Sequence, residues 1–222
     1  MISLLEGYIQ DSLPYGEDLF THPSLTDKVD QNGRIIPYHG NTTVFLLSED
    51  TKAQVAQLQG RLYRAAPDML AEKLEKDTLH MTLHSLAEGK PGTPGLEDWM
   101  DYACDSARQH LEGWKTEGPL SMKGTWMFNM CRTSIVLGLA PADEDSAQRL
   151  SGMYERLEQV RFLGYDMTPH ITLAYFKPGR YTPDQVERLR RALGPAELRV
   201  ALKMEDLVIQ NFQSMNAYHT VW

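Results

Sequence analysis

LHMTLHSL (residues 79–86) decides how this chain is read, because its H-x-T-L core returns in PHITLAYF (169–176), with His170 lying 90 residues beyond His80. Polar and apolar side chains alternate in both stretches, which is the period of a β-strand half exposed to a groove. In the first copy, Thr78, His80, Thr82 and His84 fall on one face, and Leu79, Met81 and Leu83 on the other. In the second, Thr168, His170, Thr172 and Ala174 share a face, and Ile171, Leu173 and Tyr175 share its opposite. Each strand thus has an apolar side for helices and a polar side on which an imidazole and a hydroxyl stand roughly 6–7 Å apart. By this alternation Tyr175 sits on the core face, and using it as a ligand group requires a bulge or a strand end.

Two such pairs facing each other suit acid–base work on a phosphodiester. Histidine, with an ordinary pKa of about 6.5, gives or takes a proton near neutrality. One ring can deprotonate an attacking water while the other protonates the leaving oxygen. Thr82 and Thr172 can donate to the non-bridging oxygens between them. The HMTLH spacing of His80 and His84 also matches a helical zinc pair, but no Glu follows the first His and Ala174 stands where a matching second ligand is needed. No metal is expected. His84 remains a candidate substrate contact beside His80.

Outward from these strands, helices and strands alternate regularly after residue 40. NTTVFLL (41–47) reads as a strand, followed by a helix with Val55, Leu58 and Leu62 on one face behind cap-type Ser48. Residues 96–111 form a second helix, with Leu96, Trp99, Met100, Ala103, Ala107 and Leu111 aligned. LSMKGTWMF and CRTSIVLGLA read as a hairpin turning near Asn129, and residues 143–160 as a third helix. Thr182, Pro183 and Gln185 open a fourth helix with a capping box. The tail from residue 197 reads as two or three strands. The order helix, H-x-T-L strand, helix occurs twice, so the expected fold is α+β: two pseudo-symmetric lobes, antiparallel sheets lining a central cleft, helices outside. Arg132, at the start of a strand, is a candidate phosphate partner. Trp126 shares a strand face with Phe128 and is a candidate for stacking on a base, although burial is the commoner fate of such residues.

Residues 1–40 differ from the 41–222 body: rich in Gly, Pro and Asp, weakly periodic, with Asn32-Gly33 as a two-residue hairpin signal. This extension either covers part of the core or forms a lid over the site.

The 22 Lys and Arg are outnumbered by 30 Asp and Glu, a formal charge of −8, and no basic block occurs. Gripping long nucleic acid through its phosphates requires a basic face, so a long duplex is excluded as a partner. A small nucleotide or short oligonucleotide in a local pocket is not. No apolar run approaches the ~20 residues that span a bilayer, so no membrane partner is expected, and the start lacks a signal-peptide pattern. Cys104 and Cys131, without C-x-x-C spacing, fit a reducing cytoplasm. No cofactor is implied, and a monomer is the favoured state.

With His80-Met81-Thr82-Leu83 and His170-Ile171-Thr172-Leu173, the chain resembles the two-histidine phosphoesterase superfamily, which includes RNA 2',3'-cyclic phosphodiesterases, once called 2'-5' RNA ligases. The resemblance covers roughly residues 41–222, and this branch carries an N-terminal extension. It implies two lobes facing a shared cleft and catalysis by His80 and His170, with Thr82 and Thr172 orienting the phosphate. Tyr218, in the closing strands, matches a tyrosine common in the family. The implied activity is metal-independent cleavage of a 2',3'-cyclic phosphate, or a related 2'-linked or cyclic nucleotide or short RNA end. The competing reading is a nucleotide- or RNA-binding module that keeps the cleft without turnover.

Overall fold

The computed structural model describes residues 13–222, in ten strands and four α-helices. The strands are β1 (Leu19–Phe20), β2 (His39–Leu46), β3 (His80–Gly89), β4 (Leu120–Met130), β5 (Ser134–Pro141), β6 (His170–Tyr175), β7 (Arg180–Tyr181), β8 (Arg199–Leu202), β9 (Leu207–Ser214) and β10 (Ala217–Thr220). The helices are α1 (Glu49–Ala65), α2 (Leu96–Leu111), α3 (Glu144–Leu157) and α4 (Pro183–Ala192). Their starts follow local chemistry. Ser48 Oγ accepts the Thr51 N–H at 3.2 Å ahead of α1, and Thr182 and Gln185 form the expected capping box ahead of α4; such caps are worth about 1 kcal/mol each. Among the described residues, no helix is long and apolar enough to cross a membrane.

Eight strands form one curled antiparallel sheet in the order β10-β9-β2-β3-β6-β5-β4-β8. The expected two lobes are its halves, four strands each, and they meet at β3 and β6. The seam therefore runs through the repeated motif itself, with Met81 in register with Ile171. Helices cover the convex side: α2 lies on β2 and β3, α3 on β4 and β5, and α1 crosses to β6. Met81, Leu83, Ile171 and Leu173 are all buried there. Each of these side chains contributes about 1.5–3 kcal/mol relative to exposure. In α2 the buried stripe is Leu96, Ala103, Ala107 and Leu111. Trp99, expected on that face, is instead 40 % exposed and stacked on Tyr102.

The alternation in both motif strands is broken at the same place. Across β2 and β3, Val44 faces Thr82 and Thr43 faces His84, leaving Leu83 as an extra residue. Across β5 and β6, Val136 faces Thr172 and Ile135 faces Ala174, leaving Leu173 extra. Each is a β-bulge, which shifts the phase of the strand beyond it. Burial from His80 to Ser85 and from His170 to Tyr175 follows one sequence: half-buried, buried, half-buried, buried, buried, half-buried. The bulges are held by side chains. Gln59, buried on α1, donates to the Leu173 carbonyl at 3.1 Å and to that of Leu74 at 3.0 Å. Thr42 and Thr43 both donate to the His84 carbonyl.

Residues 13–38 pack onto this body. β1 pairs with β7, and Leu19, Leu25 and Val29 are buried. The Asn32-Gly33 turn has a three-residue loop where two were expected. Asp30 exchanges backbone bonds with Gly33 and Arg34, its carboxylate accepts the Asn32 and Arg34 N–H groups, and Gly33 takes φ +82°.

Candidate active site

His80, Thr82, His170 and Thr172 line one cleft of about 180 Å³ on the concave side of the sheet. Their arrangement follows from the seam. Among the described residues, Met81–Ile171 is the one register pair between β3 and β6. Continuing that register by one residue in each direction sets His80 across from Thr172 and Thr82 across from His170. The two imidazoles thus occupy one diagonal of a quadrilateral and the two hydroxyls the other.

Each ring is oriented by its own strand. His170 Nδ1 lies 2.7 Å from the Thr168 carbonyl, and as the donor of that bond it leaves Nε2 free to act in the cleft. His80 is likewise influenced by the backbone of Thr78, two residues upstream. Burial pushes His80 down to about 4, against the opposing pull of that backbone, and the neighbouring His170 lowers it further. Burial pushes His170 down as well, opposed by the Thr168 carbonyl. Both rings are therefore mainly neutral at pH 7, and an anion between them would favour protonation.

Tyrosines from both halves close the cleft. The Tyr218 ring meets His80 edge-on at 5.0 Å. The Tyr175 hydroxyl lies 3.2 Å from the Met215 sulfur, and that of Tyr218 lies 3.7 Å from it. Burial pushes both phenols up, so both hydroxyls keep their protons as donors. Tyr175 reaches the cleft because the Leu173 bulge turns it off the core face that simple alternation gives it.

The matching bulge moves His84 the other way. It is 1 % exposed on the helix side of β3, where Nε2 lies 3.0 Å from Glu158 Oε1 and the ring lies 5.1 Å from that of Tyr154. It does not share the face of His80. Burial lowers the His84 pKa despite Glu158, so a neutral ring donates to an ionised carboxylate that also accepts the Leu163 N–H. Ser85 takes the cleft position that His84 was expected to hold.

Two further expectations are corrected. Arg132 is not at a strand start and does not line the cleft. It lies in the three-residue loop 131–133 between β4 and β5, in which Cys131 and Arg132 both have positive φ, 52° and 57°. The side chain is exposed, and its carbonyl accepts the His22 N–H. Trp126 is 40 % exposed and outside the cleft, because a register shift between Gly124 and Met127 separates it from buried Phe128.

Sequence reasoning missed several cleft residues. Lys28 comes from the extension, Thr42 from β2 and Glu88 from the far end of β3. Lys28 is, among the described lining residues, the side chain with a fixed positive charge, and it lies 3.7 Å from Glu88. No motif marks these positions. Gln59 did leave a signal, a polar residue on the apolar stripe of α1 between Val55 and Leu62. Among the described residues, no three His, Cys, Asp or Glu side chains gather as a metal site. A larger hollow of about 410 Å³ between α3 and residues 162–169 has no histidine among its lining residues, so its size does not make it the reactive centre.

Comparison with solved structures places the fold. A conserved protein of unknown function, ATU0111 from Agrobacterium tumefaciens, superposes with a TM-score of 0.62 at 20 % identity, over 90 % of this chain and 92 % of that one. LigT from E. coli, solved with NADP+, superposes with a TM-score of 0.51 at 12 % identity, over 83 % and 96 %. The chain folds as LigT does. A further structure described as a phosphoesterase gives a TM-score of 0.53 at 14 % identity, over 83 % and 96 %. The LigT-like fold is the one that the two-histidine resemblance implied. No family model matches the sequence, and no curated protein does either.

Proposed function

We propose that this chain is a two-histidine phosphoesterase. It hydrolyses a 2',3'-cyclic phosphate, or a related 2'-linked or cyclic nucleotide or short RNA end, without a metal. The observation that carries the reading is the diagonal pair of imidazoles in one cleft, with His170 tied through Nδ1 to the Thr168 carbonyl and His80 set against the Thr78 backbone. The two rings supply the two proton transfers an in-line displacement needs, His170 through Nε2. One ring takes the proton of the attacking water as the water oxygen bonds phosphorus; the other gives a proton to the ester oxygen as its bond to phosphorus breaks. Thr82 and Thr172 donate to the non-bridging oxygens, where negative charge is greatest, and Lys28 adds a positive field. The solution of LigT in complex with phosphate and with 3'-AMP supports a phosphate-binding cleft in this fold.

Positioned acid–base groups contribute about 10²–10⁴-fold each. His80→Ala and His170→Ala should each lose at least about a hundredfold in kcat, and EDTA should leave the wild type unaffected. Turnover kept in either variant rejects the paired mechanism. Tight nucleotide binding with no cleavage across a panel of cyclic phosphates would instead make the cleft a binding module.

A further inference from the structure

The catalytic cleft does not end at Tyr175. A second hollow of about 200 Å³ shares Lys28, Glu88 and Tyr175 with it and is otherwise lined by residues that include Ser24, Asp27, Tyr38 and Thr133. Most of this chamber is built by the segment before β2. It is smaller than the roughly 300–1,000 Å³ of a site for a drug-sized ligand.

Its charges are already matched. Asp27 Oδ1 lies 2.8 Å from Lys90 Nζ, and Glu88 lies 3.3 Å from Arg161 and 3.7 Å from Lys28. A second anion would meet two carboxylates, and a cation would have to displace an existing partner. The chamber's Tyr38 ring is not open for stacking a base. The Tyr38 ring carries the Lys28 ammonium 5.0 Å from its centroid and stacks on Phe212 at 6.3 Å. The chamber does offer carboxylate lone pairs, hydroxyls that both donate and accept, and an ammonium group. Adjacent O–H groups on a small neutral ring use that mixture well, each as donor and acceptor.

We propose that this chamber is a subsite for a sugar or similar polyol esterified to the phosphate in the cleft, so that hydroxyl groups rather than a nucleobase set the specificity. This rests on the phosphate-binding reading of the cleft given above, and it makes Asp27, Tyr38 and Glu88 specificity-determining contacts.

The test is calorimetric titration of the full chain with ribose 5-phosphate and with ethyl phosphate, an ester that has no hydroxyls to place. Ribose 5-phosphate should bind about tenfold more tightly, the worth of one charge-assisted hydrogen bond. Asp27→Asn and Tyr38→Phe should each lower that ratio about threefold. Ethyl phosphate binding reports in the same titrations that each variant is folded, and Ser24→Ala replaces any variant that fails to bind it. Equal affinity for the two esters in the wild type, a ratio unchanged in the variants, or no binding of either ester overturns the subsite. Preference without cleavage of any cyclic phosphate leaves the subsite standing and removes the catalytic reading. Cleavage without preference does the reverse.

Discussion

Both imidazoles are held below the ordinary histidine value by burial, His80 at about 4, and this shapes how the proposed reaction should depend on pH. The displacement needs one ring protonated and the other neutral. In the free protein that one-proton form is populated mainly between the two apparent values of the pair, both under about 6.5. Since kcat/KM reports the free enzyme, it should peak in acid. Above the upper value it should fall about tenfold for each pH unit, or about a hundredfold from pH 6.5 to pH 8.5. Bound substrate changes the balance, because an anionic phosphate between the rings favours imidazolium. The kcat profile should therefore hold its plateau to higher pH than kcat/KM does. The assay is initial rates on a 2',3'-cyclic phosphate at constant ionic strength from about pH 4 to about pH 9, below and above saturation, with the monoester product quantified by chromatography. A kcat/KM that stays level or rises between pH 7 and pH 9 would refute the reasoning, since neither ring could then be a buried imidazole that must gain a proton to act.

Three other outcomes follow from the packing. His84→Ala removes the bond to Glu158 and the ring contact with Tyr154, and should cost about 2–4 kcal/mol in urea unfolding; a loss near zero would mean that the pair does not anchor β3. Gln59→Leu leaves the Leu173 and Leu74 carbonyls buried without their donor. It should cost about 1–3 kcal/mol and lower kcat as Tyr175 shifts with its bulge, whereas unaltered kinetics would separate the bulge from the site. The double change Cys131→Asn, Arg132→Gly supplies residues that accept positive φ. It should stabilise the chain by about 1 kcal/mol in thermal unfolding with turnover kept, and lost turnover would return Arg132 to the phosphate.

Much of this protein was legible without coordinates. The H-x-T-L repeat named His80, Thr82, His170 and Thr172, because a period of two on a strand is a local property of the chain. Helix starts at Ser48 and Thr182 were equally local, since a cap is satisfied within three residues. Tertiary structure decided what lies beyond Thr82 and Thr172. Whether a strand bulges depends on its neighbour's register and on donors such as Gln59, 114 residues from Leu173 in sequence. A one-residue shift of phase exchanges the two faces of a strand, which is why His84 went to the core and Tyr175 to the cleft. The meeting of the two motifs at Met81 and Ile171, and the arrival of Lys28 beside them, are likewise contacts between distant segments. No local pattern encodes them, because their free energy comes from packing the whole sheet.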